Sequence, residues 1–467
     1  MSDSRAAGPG ALFCCIRGAV TDGHRYAADA VGAGAVALLV EEWLPIDVPQ
    51  ARVASVRSVL GPLAARFQGE PSFAMRTLGV TGTNGKTTTT YLLESIAAAA
   101  GDATGVIGTV GARIGDQPMP NAHTTPEATD LQVMLAAMRD SGVATVAMEV
   151  SSHALDQHRV DGTHYTATCF TNLTHDHLDY HGTIDAYFES KARLFTPLFT
   201  HRAAVNVGDE HGEELARRAA AKELVVTRFG IDHPEADVTA RRIELGPDGT
   251  TFELAACLGR PATVRTPLVG PFNVVNALAA ATTALLAGFE LEAIVAGLEA
   301  PTPVPGRMER IDAGQEFTVF VDYAHTPDAL ARVLASVRPL TSGRVICVFG
   351  CGGDRDPKKR PLMGAAVGRG ADMAVVTNDN PRSENPRSIV DAIVPGLSQT
   401  ETRYLVELDR AWAIERAILD AQPGDVVVIA GKGHEPYQII GAVTHAFDDR
   451  DEARRALASR RAARGAR

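Results

Sequence analysis

Cysteine is scarce in this sequence, with six in 467 residues and no Cys-x-x-Cys pair. Cys14, Cys15, Cys169, Cys257, Cys347 and Cys351 lie mostly in apolar, strand-like runs, so reduced core thiols are expected rather than a disulfide framework. No apolar stretch reaches the roughly eighteen residues of a membrane span. No charged-then-apolar leader opens the chain. A cytoplasmic protein without membrane insertion is expected. Positive charge is also lacking. The net charge of −11 argues against a general nucleic-acid binder. Only residues 450–467, with seven arginines, are basic, and they read as a solvated helix end. There is no internal repeat. What is present is an ordinary globular balance, 45% hydrophobic and 22% charged, in a length that suggests about three domains.

The pattern along the chain supports that division. Residues 1–68 form a small opening unit, with a strand over 11–16, a helix over 23–34 and a second strand over 35–41. The region 69–305 alternates strands and helices. Its strands fall over 77–80, 105–108, 144–150, 166–171, 203–207 and 224–227, with helices such as 129–139 and 184–194 between them. Such alternation makes a parallel, doubly wound sheet. From 237 to 267 the pattern turns to β without helices, and Gly246-Pro247-Asp248-Gly249 signals a hairpin. A long Ala/Leu-rich helix follows over 273–289, and 301–306 reads as a proline-rich linker. In 306–467 β/α alternation resumes, with strands over 319–322, 345–350, 373–377 and 426–430. The expected fold is therefore three-domain α/β: a small opening domain, a central parallel-sheet domain with added antiparallel strands, and a Rossmann-like C-terminal domain.

Polar motifs follow directly on these strands, where open α/β sheets bind ligands. Residues 79–90 read Gly-Val-Thr-Gly-Thr-Asn-Gly-Lys-Thr-Thr-Thr-Thr, a glycine-rich turn between a strand and a helix. Its glycine spacing is one residue longer than the strict phosphate loop. Bare N–H groups and the positive helix end would face an anion. Lys86 can reach β/γ-phosphates, and the Thr87 hydroxyl can hold Mg²⁺. Glu149 ends a strand, where it suits Mg²⁺, with a cap for the next helix as the plain alternative. The next strand runs into Asn172-Leu-Thr-His175-Asp176-His177-Leu-Asp179-Tyr-His181. Zinc is one candidate there, but no cysteine assists and the phosphate loop already requires a hard cation. Mg²⁺ with one histidine among oxygen ligands is the better fit. Lys191, viewed alone, reads as a helix-surface lysine. Late in the chain, Gly350–Arg355, Asn378–Arg382 and Gly431–Glu435 each join small residues to a terminal charge.

Taken together, these segments resemble the Mur ligase family over nearly the whole chain. The matching stretches are Asp3-Ser4-Arg5, Gly82–Thr88, Thr124-Thr125-Pro126, Glu149–Arg159, Asn172–Gly182 with Lys191, and Gly270–Asn276. They continue with Gly306-Arg307, Asp322–His325, Gly350–Arg355, Asp379–Arg382 and Gly431–Glu435. The resemblance implies an ATP-dependent amide-forming ligase of peptidoglycan synthesis that works through an acyl phosphate. It puts ATP on Gly82, Thr83, Asn84, Gly85, Lys86, Thr87 and Thr88. Asn273 and Asn276 would lie near adenine, although helix capping is an equal alternative for both. Arg307, Asp322 and His325 would approach the nucleotide. Lys86, His177 and Lys191 would be catalytic. Lys191 would be carbamylated by CO₂, so that Thr87, Glu149, His177 and the carbamate hold Mg²⁺. Ser4, Ala19, Val20, Thr21, Thr124, Thr125, Ser151, Gln157 and Arg159 would bind UDP-N-acetylmuramoyl-L-Ala-D-Glu. Arg355, Asp379, Asn380, Pro381, Arg382, Gly431 and Glu435 would bind the incoming amino acid.

Two arginines that can grip carboxylates and a glutamate that can pair with a distal ammonium suit meso-diaminopimelate better than L-lysine. A monomer acting on small molecules, with no nucleic-acid partner, is expected. The chain departs from the family pattern in starting just before Asp3, without the usual leading segment, and in having Glu384-Asn385-Pro386 where Glu-Asp-Pro is common. The alternatives are an L-lysine-adding homologue, a folylpolyglutamate synthase-like ligase, and a non-ligase switch that hydrolyses ATP.

Overall fold

The computed structural model describes all residues except 2, 19, 20, 122, 257–260, 302, 303, 466 and 467, and omits the side chains of 463–465. Ala19, Val20, Cys257 and part of the expected linker lie outside the described residues.

Three larger sheets follow one another along the chain. The first has three parallel strands, β1 (Ala11–Cys14), β2 (Ala35–Val40) and β3 (Gln50–Arg52). The helix expected over 23–34 is split. The Asp22 side chain accepts from His24 N and caps a 3₁₀ turn, Gly23–Tyr26, ahead of the helix Ala27–Gly32.

The second sheet has eleven strands. They are β4 (Arg76–Thr81), β5 (Thr104–Gly108), β6 (Gly111–Ile114), β7 (Gln117–Met119), β8 (Thr145–Glu149), β9 (Ala167–Phe170), β10 (Arg202–Asn206), β11 (Val225–Ile231), β12 (Val238–Gly246), β13 (Gly249–Ala256) and β14 (Ala262–Thr266). Their order is β14-β13-β12-β11-β10-β9-β4-β8-β5-β6-β7. The run from β12 to β5 is parallel, and two antiparallel strands finish each edge. The β12–β13 hairpin turns at Pro247-Asp248, as its sequence signals. The β6–β7 extension turns at Gly115-Asp116, a pair not picked out in the sequence. β4 is buried on both faces from Thr77 to Thr81 and sits mid-sheet. One face is covered by the helices Lys86–Ala99 and Pro271–Leu286, through Leu93, Ile96, Val274 and Leu278. The other face packs Met148, Phe170, Tyr187 and Phe195.

The third sheet contains β15 (Glu309–Arg310), β16 (Thr318–Asp322), β17 (Val345–Phe349), β18 (Met373–Val376), β19 (Arg403–Val406) and β20 (Val426–Ala430), in the order β15-β16-β20-β17-β18-β19. All its strands but the antiparallel β15 run parallel. A separate hairpin, β21 (Tyr437–Ile440) with β22 (Val443–Ala446), follows. The basic C-terminal stretch is not simply a solvated helix end. It belongs to the helix Asp449–Gly465, and Arg460 is buried where it donates to the carbonyls of Ile418, Leu419 and Ala421. Those carbonyls lie at the C-terminal end of the helix Arg410–Asp420, where the last turn lacks donors of its own.

Candidate active site

β8, β4 and β9 are parallel neighbours, so their carboxyl ends deliver Glu149, the turn 82–85 and the loop after Phe170 to one edge. The turn is stitched to that loop. Thr83 N donates to Asn172 O at 2.9 Å, Asn84 N to Asn172 Oδ1 at 2.9 Å, and Thr171 Oγ1 to Asn84 O at 2.6 Å. Gly85 has φ 87°, and a Cβ there would overlap Asn276 Oδ1, so glycine alone lets the turn lie on the helix Pro271–Leu286. Asn273 and Asn276 are buried inside that helix and do not cap it. Asn273 Nδ2 donates to Val269 O at 2.8 Å, and Asn276 Nδ2 donates to Asn273 Oδ1 at 3.0 Å.

Lys86 opens the helix behind the turn, followed by buried Thr87 and Thr88. Its Nζ donates to Gly82 O at 2.9 Å and Thr83 O at 2.8 Å. Lys191 Nζ reaches the same Gly82 oxygen at 2.9 Å. Lys191 is therefore no surface lysine. It is 1% exposed, with Nζ 4.4 Å from the centre of the Tyr187 ring. Burial drives its amine well below the usual lysine range, and the charge of Lys86 adds to this while Asp176 opposes it. Burial lowers Lys86 as well, against the attraction of Glu149 and Asp176.

Glu149 is 1% exposed, and both its oxygens are engaged. Thr109 N donates to Oε1 at 2.9 Å, and Thr109 Oγ1 donates to Oε2 at 3.0 Å. Thr124 Oγ1 lies 3.1 Å from Thr109 Oγ1. Thr125 Oγ1 donates to Glu149 O at 2.8 Å and accepts from Ser151 N at 3.1 Å. Arg159 donates to Thr125 O at 3.3 Å and, through Nε and Nη2, to Gln157 Oε1 at 3.1 and 2.7 Å. Glu127 lies 3.0 Å from its guanidinium. Thr124, Thr125, Ser151, Gln157 and Arg159 thus form one group beside Glu149. Ser4 sits in the turn Ser4–Ala6, and Thr21 O accepts from Gly18 N at 2.9 Å. Among the described residues no hydrogen bond joins either to the Glu149 group. The opening domain reaches it instead through Arg57, which is 3.7 Å from Glu127.

His177 has φ 54° and enters a short helix, with its ring centre 4.8 Å from that of His153. Burial lowers its imidazole, and Asp176 opposes that. Asp176 belongs to the same polar run but not to the residues singled out from sequence. Burial raises its carboxyl, yet His177, His325 and Lys86 together hold it below the usual range. Among the described residues no three His, Cys, Asp or Glu side chains stand ready as a metal cage.

The third domain docks onto this edge. Arg307 Nη2 donates to Thr87 Oγ1 at 3.2 Å, while its guanidinium lies 4.6 Å from the Tyr323 ring centre. Asn84 Nδ2 donates to Asp328 at 3.4 Å. His325 is half-buried, its Nδ1 lies 2.8 Å from Tyr323 O, and it feels the charge of Asp176. Asp322 turns inward, accepting from Met308 N at 2.7 Å and Ala324 N at 2.8 Å, so both oxygens hold backbone.

The remaining expected residues gather in the loops after β17, β18 and β20, on the same carboxyl edge as Asp322. Gly353 N donates to Asn380 O at 2.9 Å, which joins the loops after β17 and β18 across Pro381. Arg382 has φ 51°, and its Nη1 donates to Gly353 O at 2.8 Å. Arg355 is exposed, with Nη1 on Asp354 O at 3.0 Å. Gly431 has φ 121°, where a Cβ would crowd Asp379 Oδ2 at 2.6 Å. Glu384 is held by Asp354 N at 2.6 Å and Arg360 at 2.7 Å, while Asn385 caps the next helix. Glu435 accepts from Asn380 Nδ2 at 2.9 Å and lies 3.3 Å from Lys432 Nζ. Lys432 and Arg410, both 0% exposed, are the residues here that sequence did not single out. Only burial of their charges marks them.

A phosphate-loop sheet, a polar group beside Glu149 and a third α/β domain docked onto the turn define a three-domain phosphate-loop enzyme. Three family descriptions match in tandem: "Mur ligase family, catalytic domain" over residues 1–68, "Mur ligase middle domain" over 80–284, and "Mur ligase, glutamate ligase domain" over 306–433. The UDP-N-acetylmuramoyl-L-alanyl-D-glutamate–2,6-diaminopimelate ligase of Geobacillus thermodenitrificans is 48% identical over 465 residues, covering 98% of this chain and 94% of the relative. The ligase of the same name from Streptomyces coelicolor is 44% identical, covering 97% and 91%. A solved structure of a ligase of that name superimposes with a TM-score of 0.74 at 36% identity, over 99% of this chain and 94% of that one. The folylpolyglutamate synthase of Mycobacterium tuberculosis, at 20% identity and TM-score 0.67, over 86% of this chain and 95% of that one, shares the fold. The chain belongs to the Mur ligase family.

Proposed function

We propose that this chain joins meso-2,6-diaminopimelate to UDP-N-acetylmuramoyl-L-alanyl-D-glutamate at the expense of ATP, in peptidoglycan synthesis. Identity of 48% over 98% of the chain to a ligase of that name carries the assignment. The domain borders fall near residues 68 and 305. No helix among the described residues is long and apolar enough to cross a membrane, and soluble nucleotide substrates place the reaction in the cytoplasm.

The D-Glu γ-carboxylate attacks the γ-phosphorus of ATP, the β–γ bridge breaks, and ADP leaves. The diaminopimelate amine then attacks the acyl carbon and loses a proton as phosphate departs. Lys86 and the helix N-terminus behind it screen charge on the transferring phosphoryl group. Thr124, Thr125, Ser151, Gln157 and Arg159 orient the UDP-dipeptide beside it. Arg307 and His325 close from the third domain and exclude water. Thr87, Glu149 and His177 would hold Mg²⁺, which supplies positive charge opposite the phosphates. Lys191 suits carbamylation, because burial favours the neutral amine that adds CO₂, and the carbamate would give the cation another oxygen ligand. The buried Glu149 carboxylate suits a hard cation.

Phosphate release with the UDP-dipeptide and one amino acid at a time tests the assignment. meso-Diaminopimelate should support turnover about ten-thousandfold better than L-lysine. Equal use of the two, or release that ignores the amino acid, overturns it.

A further inference from the structure

We propose that Lys432 is a positioning residue of the amino-acid site, a buried cation that aims Glu435 at an ammonium group of the incoming diamino acid. This goes beyond the assignment of these loops to diaminopimelate but rests on it.

Lys432 Nζ has three protons to place and no exposure to water. It donates to Asn380 Oδ1 at 3.0 Å, lies 3.3 Å from Glu435 Oε2, and sits 5.4 Å from the Tyr437 ring centre. An amide oxygen, a carboxylate oxygen and an aromatic face thus surround it, and together they offset the cost of burying the charge. The ammonium is occupied by the protein and is not itself a ligand for substrate.

Its effect passes through Asn380. Asn380 Oδ1 also accepts from Ile439 N at 3.0 Å. With two donors on that oxygen the amide has one orientation, and Nδ2 faces Glu435 Oε2 at 2.9 Å. Oε2 therefore takes two donors from the interior. Oε1 has no hydrogen-bond partner among the described residues, and the Glu435 side chain is 17% exposed against 0% for Lys432. One carboxylate oxygen is tied down, and the other is left for a ligand cation. Without Lys432 only the Ile439 N–H is left to hold the Asn380 amide, and Oε2 loses one of its two neighbouring donors, so the carboxylate is freer to rotate.

The scaffold between the two loops has a separate support. β18 and β20 are not neighbours, since β17 lies between them. Arg410 spans that gap, donating to Asn378 O at 3.0 Å and Ala430 O at 2.9 Å while paired twice with Asp449 at 2.7 Å. Arg410 holds the loop bases together, which leaves Lys432 to orient the loop tips.

The test is steady-state kinetics on the full-length enzyme, with KM measured separately for meso-diaminopimelate, ATP and the UDP-dipeptide. K432M should raise KM for diaminopimelate by about tenfold to a hundredfold, with the other two KM values and kcat at saturating amino acid changed far less. K432R keeps the charge but replaces a tetrahedral head by a planar fork, so it should lie between wild type and K432M, at about threefold. E435Q should raise the same KM, and K432M/E435Q should match E435Q within about twofold, because Lys432 acts through that carboxylate. Melting temperatures show which variants are folded. Should K432M not be, K432R decides. A wild-type KM for diaminopimelate in the folded Lys432 variant, or a further tenfold rise in the double variant over E435Q, overturns the proposal. An unchanged KM in E435Q would instead remove the assignment of these loops to the amino acid.

Discussion

The phosphate turn and the proposed amino-acid site both stand at the carboxyl ends of parallel strands, but they are assembled in opposite ways. The turn is local. One strand, a turn of four residues and one helix contain Gly82, Gly85, Lys86 and Thr87, and the loop after the adjacent strand β9 supplies the stitching from Asn172 and Thr171. The amino-acid site is dispersed. Its groups come from loops after β17, β18 and β20, and of its cross-ties Arg410 lies outside every motif while Lys432 lies inside Gly431–Glu435 without being marked by it. A local site announces itself because its chemistry and its backbone geometry are the same few residues. A dispersed one needs buried charges to keep its parts in register, and such charges look ordinary in a sequence.

The sharpest way to break this contrast is at the local site. Lys86→Ala, or Lys191→Ala, should lower turnover about ten-thousandfold, the scale seen when one member of a concerted site is removed. Short-chain carboxylates should partly restore Lys191→Ala by supplying the missing oxygens. Phosphate release at saturating ATP, with melting temperature as the control for folding, measures both. Near wild-type turnover in either variant would leave the turn as a structural feature only.

The next largest effect belongs to the dispersed site and is one of stability. Arg410→Leu leaves Asp449 buried without its partner and frees the carbonyls of Asn378 and Ala430, so about 3–5 kcal/mol should be lost in denaturant unfolding. A loss under about 1 kcal/mol would show that the loops stay in register unaided. Arg382→Ala tests specificity rather than scaffold. It should cost about a hundredfold in kcat/KM for diaminopimelate and narrow the preference over L-lysine. Competition assays at matched ATP and UDP-dipeptide concentrations report that ratio, and an unchanged preference would clear the Asp379–Arg382 loop of the role.

The smallest expected effect links the two sites. His434 follows the Gly431–Gly433 turn, and burial pushes its imidazole down to about 4 from 6.5. The unfolded chain then binds the proton more readily than the folded one. The contribution to stability is full above about pH 6.5 and is lost as pH falls toward 4. Melting temperature should decline over that window, and the decline should be shallower in His434→Gln. Identical slopes would assign the decline to other groups.

Much of the architecture is legible from residues alone. The strand, turn and helix over 77–99 are marked by an apolar run, glycines and a helix-forming stretch, and the β12–β13 hairpin by Gly-Pro-Asp-Gly. These signals act between chain neighbours, where backbone preference and periodicity decide the outcome. The Thr124, Thr125, Ser151, Gln157 and Arg159 group is legible as a set of segments but not as a geometry, because its bonds run through the Thr125 hydroxyl to Glu149 O and Ser151 N. Other features belong to tertiary structure alone. Asn273 and Asn276 stand where a cap would fit the local pattern, yet Gly270 precedes the helix and both asparagines are buried within it, with Asn276 against Gly85. Lys191 looks solvated on its own helix and becomes buried only because the helix Ile184–Ala192 packs beneath the phosphate turn. Sequence by itself thus determined the three α/β units and the local turns that offer N–H groups to phosphate. Tertiary packing decided which charges lose their water, and therefore that the Lys191 amine is pushed below the usual lysine range while Lys432 is a buried tie, because desolvation depends on neighbours distant in the chain.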